Sequence, residues 1–75
     1  MMKKFEEGKQ YGATDTGVPE ITILKRTPKM ALVRNDCSVW RMRVHEDQDG
    51  EYMVDSSVPG AWRDCYTYHA KFIMN

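Results

Sequence analysis

The cysteines and histidines of this chain that could ligate zinc are Cys37, His45, Cys65 and His69. Those nearest to forming a nucleophile are Ser56 and Ser57, beside Asp55. Neither set has the spacing its chemistry needs. Structural zinc is held by close pairs such as Cys-x₂-Cys, and here only Cys65 and His69 are neighbours, four residues apart. They fall in a segment that alternates like a strand, where i and i+4 share a face but lie about 13 Å apart at about 3.3 Å per residue. Asp47-Gln48-Asp49-Gly50 resembles a calcium loop. Placing Gly50 at the invariant glycine puts His45 and Ser56 at the first and twelfth positions, where carboxylates are required. There is no glycine-rich phosphate loop and no G-x-S-x-G elbow. A serine next to an acid is not a nucleophile without a positioned base, and nothing in the spacing makes His45 or His69 that base. A chain of 75 residues also has little volume for a pocket that excludes water. The expectation is a protein that is not an enzyme, holds no cofactor and no metal, and works by binding.

Binding chemistry is more visible, because the net charge of zero conceals a segregated layout. From Lys25 to His45 six basic residues (Lys25, Arg26, Lys29, Arg34, Arg41, Arg43) stand against Asp36 alone, a balance of +5. From Glu46 to Asp64 six acids (Glu46, Asp47, Asp49, Glu51, Asp55, Asp64) stand against Arg63, a balance of −5. This layout has two readings. If the two hairpins lie side by side, Arg41 and Arg43 face Glu51 and its neighbours, and the pairs contribute about 0.2–1 kcal/mol each. Otherwise the basic block is a face for phosphate or an acidic partner, and the acidic hairpin from Glu46 to Glu51 is a second contact surface. Trp40 and Tyr68, near basic residues, could add stacking surfaces for bases. A small domain also needs such aromatics for its core, with Tyr66 and Tyr68 the best placed to show a hydroxyl to solvent.

The elements that must position these residues read as strands. The first third is punctuated by Gly8, Gly12, Gly17 and Pro19 and is disfavoured as helix; a short extended piece covers residues 9–11. Residues 20–26, with Ile21, Thr22 and Ile23, form a strand. Pro28, which lacks a ladder N–H, marks the next turn. Residues 30–34 are a second run, ended by Asn35-Asp36-Cys37-Ser38. Across residues 39–46, Trp40, Met42 and Val44 share one face, and Arg41, Arg43 and His45 the other. Asp49-Gly50 is the strongest turn signal, and residues 51–55 return. One short helical turn fits between Pro59 and Asp64, and alternation from Tyr66 to Ile73 closes the chain as a strand.

The predicted fold is all-β: a single domain over residues 1–75, five or six short antiparallel strands in a meander. It curls into an SH3-like or OB-like small barrel or rolled sheet. With 41% hydrophobic residues there is material for one small core. No stretch approaches the roughly 20 apolar residues of a membrane span. The basic start Met1-Met2-Lys3-Lys4 is not followed by an apolar segment, so a cytoplasmic location without a membrane role is expected.

Phe5-x-x-Gly8-Lys9-x-Tyr11, then Ile21-Thr22-Ile23-Leu24-Lys25-Arg26-Thr27, then Arg41-Met42-Arg43 resembles the layout of small β-rich proteins encoded by phages and mobile elements of Gram-positive bacteria. Asp55-Ser56-Ser57-Val58-Pro59-x-x-Trp62-Arg63 is similar to their C-terminal part. The resemblance covers most of the chain and implies a setting, with action by binding, for example by blocking a host defence protein. It transfers no functional residue. A protein-interaction module, an inhibitor or accessory protein, is therefore expected, with Arg34, Arg41 and Arg43 as contact face. Single-stranded nucleic-acid binding through the same arginines and Lys25, with Trp40 or Tyr68, is the alternative; a net charge of zero disfavours it.

Overall fold

The computed structural model describes residues 3–74. The strands are β1 (Gln10–Ala13), β2 (Ile21–Arg26), β3 (Met30–Arg34), β4 (Val39–Arg43), β5 (His45–Asp47), β6 (Gly50–Val54) and β7 (Thr67–Ile73), with one 3₁₀ turn at Gly60–Trp62. All form one antiparallel sheet in the order β4-β3-β2-β1-β7-β6-β5. The fold is thus all-β, as the alternation predicts, with two meanders (β1–β4 and β5–β7) joined by the β1–β7 ladder.

The run predicted over residues 39–46 divides at Val44. The alternation survives, with Met42 and Val44 buried and Arg41, Arg43 and His45 exposed. What changes is the neighbour: β4 pairs with β3, while β5 pairs with β6. The two edge strands are therefore consecutive in the chain. The sheet rolls without a hydrogen-bonded closure; its two edge strands are linked through Val44, and β4 approaches β6.

Side-chain chemistry sets the turns. Asn35 Oδ1 accepts the N–H groups of Cys37 and Ser38, both at 2.8 Å, in the β3–β4 turn. Asp47 Oδ1 accepts those of Asp49 at 2.8 Å and Gly50 at 3.2 Å in the β5–β6 turn. Such side-chain-to-backbone bonds are why Asn and Asp favour turns. Asp47 pairs directly with Gly50, so the loop residues are Gln48 and Asp49, and neither has a positive φ. The Asp-Gly pair is not the turn centre that the sequence suggests. Gly50 instead opens β6 with φ of +136°, and the chain at Lys3 bridges to it in parallel.

The core gathers Tyr11, Ala13, Ile21, Ile23, Ala31, Val33, Met42, Met53, Tyr68 and Ala70 from the strands, with Phe5, Val18 and Val44 from the segments between them. Phe5 meets Tyr11 edge-on, with ring centroids 4.8 Å apart, the arrangement aromatic quadrupoles favour. Tyr11 Oη, at the end of a fully buried ring, accepts the Glu6 N–H at 2.9 Å.

A side chain at Gly50 would put Cβ 2.8 Å from the Lys3 carbonyl oxygen, at a φ that L residues resist. Gly50→Ala should lower stability in urea unfolding by about 1–3 kcal/mol. Gly60→Ala, whose Cβ meets nothing within 4 Å, should stay within about 0.5 kcal/mol of the parent. Equal midpoints for both would mean that the N-terminal segment is not held against β6.

Candidate interaction surface

The basic face begins with a bulge. In β2, alternation from Ile21 and Ile23 would turn Lys25 inward. The ladder to β3 shifts between Ile23 and Lys25, so Leu24 is the extra residue. A bulge reverses the inward-outward parity of the strand beyond it. Lys25 therefore points outward and stands opposite Leu32, while Arg26 turns to the inner side opposite Ala31. Leu32 in turn stands opposite Arg41, so Lys25, Leu32 and Arg41 cross the outer face of β2, β3 and β4 in one row. A second row is Thr22, Arg34 and Val39, and Met30 and Arg43 form the third pair.

Lys25, Arg34, Arg41 and Arg43, four of the residues expected from sequence, thus share one exposed face. Half-buried Met30 and Leu32 lie between them, and Val39 is 56% exposed. Among the described residues the ion pairs are Arg26–Glu51 and Lys71–Asp49, so none of these four cations is neutralised by one. Arg34 shares a shallow concavity with Glu20 and Asp36.

The other two expected contact residues lie elsewhere. Tyr68 is 2% exposed within the core, which corrects the expectation of a hydroxyl shown to solvent. Burial, reinforced by Asp55 and Tyr66, pushes its hydroxyl up to about 12. Trp40 stands opposite Val33 and packs, half-buried, against the core. Its indole N–H is buried without a partner. Both side chains sit where strand parity turns them inward, and neither offers a ring face beside the arginines.

The two charge blocks do not neutralise each other strand against strand. Arg41 faces Leu32 and Arg43 faces Met30, not Glu51. The blocks meet inside, where Glu51, 7% exposed, pairs with Arg26 and also accepts the Phe5 N–H at 2.9 Å on Oε1. Glu51 is therefore withdrawn from the acidic hairpin surface, which keeps Glu46, Asp47 and Asp49 exposed.

A second surface has no signature among the sequence motifs. His45 pairs with Tyr52, and Tyr52 with His69, across β5, β6 and β7. Their rings follow one another at centroid distances of 5.4 and 6.3 Å, and Phe72 joins His69 edge-on at 5.0 Å. His45 and Tyr52 lie only 25° from parallel, so these two rings stack, while Tyr52 and His69 are tilted by 34°. The alternation already turns His45 outward; a two-residue Asp47–Gly50 hairpin register would have revealed its Tyr52 partner. His69 Nε2 lies 2.9 Å from Thr14 Oγ1. Burial, then Lys71, lowers its pKa below the ordinary 6.5, with Asp47 and Asp49 opposing.

Cys37 is exposed and Cys65 half-buried, both as free thiols. Among the described residues no group of three or more His, Cys, Asp or Glu could hold a metal ion. No helix among them is long and apolar enough to cross a membrane.

The lowered His69 pKa means that the folded state binds fewer protons there than the unfolded state. Its contribution is complete above the unfolded value of about 6.5 and is lost as pH falls through that value towards the folded pKa. Urea unfolding between pH 8 and 5 should show His69→Gln less pH-dependent than the parent; identical profiles would contradict the shift.

No protein-family model, curated protein or solved structure matches the chain, so the geometry of its faces carries the functional reading.

Proposed function

We propose that this chain is a non-catalytic protein-binding module that engages an acidic protein surface through the outer face of β2, β3 and β4. The observation that carries this reading is the sharing of one exposed face by Lys25, Arg34, Arg41 and Arg43, unpaired by any ion pair among the described residues. Opposite charge on a partner supplies orientation and speed of encounter. Met30, Leu32 and Val39 supply apolar contact between the cations. The role that fits is an inhibitor or accessory protein acting in the cytoplasm, in the phage or mobile-element setting that the resemblance implies.

Single-stranded nucleic-acid binding needs cations and free ring faces on one surface. Here Trp40 and Tyr68 turn inward. The partly exposed row of His45, Tyr52 and His69 lies on β5–β7, with His45 stacked on Tyr52 and with Asp47 and Asp49 close to His69. This separation favours the acidic protein partner.

Titration of labelled polyglutamate and of single- and double-stranded oligonucleotides at about 50 and about 200 mM salt tests the choice. Polyglutamate should bind at the lower salt, the double variant Arg41→Glu/Arg43→Glu should lose it, and the oligonucleotides should not bind. Oligonucleotide binding that weakens steeply with salt would establish the alternative. Polyglutamate binding unchanged by the charge reversal would contradict the assigned face.

A further inference from the structure

The backbone of β4 holds a second element of recognition. Asn35 donates to the Ser38 carbonyl at 3.0 Å, and Val44 to the Lys29 carbonyl at 2.8 Å. These bonds mark both ends of the β3–β4 ladder as hydrogen-bonded pairs, which alternate with non-hydrogen-bonded ones along antiparallel strands. Trp40 opposite Val33 and Met42 opposite Ala31 are therefore the bonded pairs between those ends. At Val39, Arg41 and Arg43 the N–H and C=O groups point away from β3. β4 is the end strand of the sheet, and although β6 approaches it, no backbone hydrogen bond among the described residues joins this row to another strand. The same residues carry the outward side chains: the free backbone edge and the arginines coincide.

Beside the start of this edge lies a groove of about 420 Å³, bounded by Val39, Trp40, Asn35 and Ser38 on one side and Asp55 and Ser57 on the other. Unpaired strand edges are templates for another strand, and adding an extended segment is an established mode of peptide recognition. A second copy of this chain is a poor occupant, because β4 against β4 would bring arginines near arginines, and like charges facing one another across strands are destabilising.

We propose that β4 accepts an extended segment of the acidic protein partner as an added antiparallel or parallel strand, with acidic residues at alternate positions. The inference rests on the function proposed above and specifies its mode. Residues of the added strand opposite Arg41 and Arg43 lie on the outer face, with Cβ atoms about 4.5–5.5 Å from theirs. They carry the carboxylates. The residue between them turns to the side of Trp40 and Met42 and is apolar. Opposite Val39, beside Asp55 in the groove, an apolar residue is favoured over an acid. The recognised pattern is an acid, an apolar residue and an acid, with an apolar residue towards Val39.

Amide hydrogen exchange on the full chain, followed by NMR with and without the peptide Val-Val-Glu-Val-Glu-Val-Val, tests this. Free, the amides of Val39, Arg41 and Arg43 should exchange quickly and those of Trp40 and Met42 slowly. With peptide, the first three should slow by about tenfold or more, as expected for a bonded edge N–H. The counterpart Val-Val-Lys-Val-Lys-Val-Val should have no effect. Arg41→Pro removes the edge N–H without touching the β3 ladder, and edge prolines are tolerated. It should weaken peptide binding beyond Arg41→Ala, since both lack the guanidinium.

Binding of the acidic peptide that needs Arg41 but leaves the three amides unprotected would overturn strand addition while leaving the acid-binding face intact. No binding of either polyglutamate or the alternating peptide would overturn both. Protection of the three amides that rises with protein concentration alone would show a second copy to be the occupant and contradict the proposal. If Arg41→Pro does not fold, the exchange pattern of the parent protein decides.

Discussion

The ion pair between Arg26 and Glu51 is the constraint on which the arrangement depends. Glu51 sits in β6 at 7% exposure and Arg26 in β2 at 17%. A buried carboxylate is tolerable only when its oxygens are satisfied. Here one oxygen takes the Phe5 N–H and the other takes the guanidinium. One side chain thereby ties the N-terminal segment, the first meander and the second meander together. The pair is not optimised for stability, because Arg26 Nε and Nη1 are buried without partners. An apolar pair of similar volume can match such an arrangement. Its consequence is specificity: it fixes which face of β2 turns inward, and with it the register of the residues on the outer side.

That consequence runs through the bulge at Leu24. Reversing the parity of β2 turns Arg26 to the interior and in the same step delivers Lys25 to the outer face, in line with Leu32 and Arg41. The buried charge and the exposed charges are two results of one extra residue. Because the two blocks of opposite sign spend only this pair on each other, Lys25, Arg34, Arg41 and Arg43 have no ion pair among the described residues. The split of one long run at Val44 has a comparable double effect. It lets β4 remain with β3 and β5 with β6, and leaves β4 as an edge whose free backbone groups belong to the residues that carry the arginines.

Local signals in the sequence were sufficient for much of the fold. The limits of β3, the turns around Pro28 and Asn35, the alternation from Trp40 to His45 and the short helical turn after Pro59 all depend on residues close in sequence, and the structure has them. What depended on distant partners was not legible. The β2 bulge answers to Glu51, more than twenty residues away. The ladder from β1 pairs Tyr11 with Ile73 but Ala13 with Tyr68. This register shift leaves Phe72 and Ile73 exposed at the end of an otherwise inward-outward strand. Tyr68 was misplaced because an alternating pattern fixes which residues share a face without saying whether a tyrosine face is wet or dry. Within the candidate surface, the four cations were legible as a block; their sharing of one face, and the separate row of His45, Tyr52 and His69, required the register.

The most direct measurement is a pair of double-mutant cycles by urea unfolding, one on Arg26→Met with Glu51→Leu, the other on Arg41→Met with Glu51→Leu. Residues in contact couple and distant ones add. If the charge blocks meet only through the buried pair, the first cycle gives a coupling of about 1 kcal/mol or more and the second gives none within error. Comparable coupling in both cycles, or none in the first, would contradict it: the arginines of β4 would then be bound up with the acidic strand rather than free for a partner.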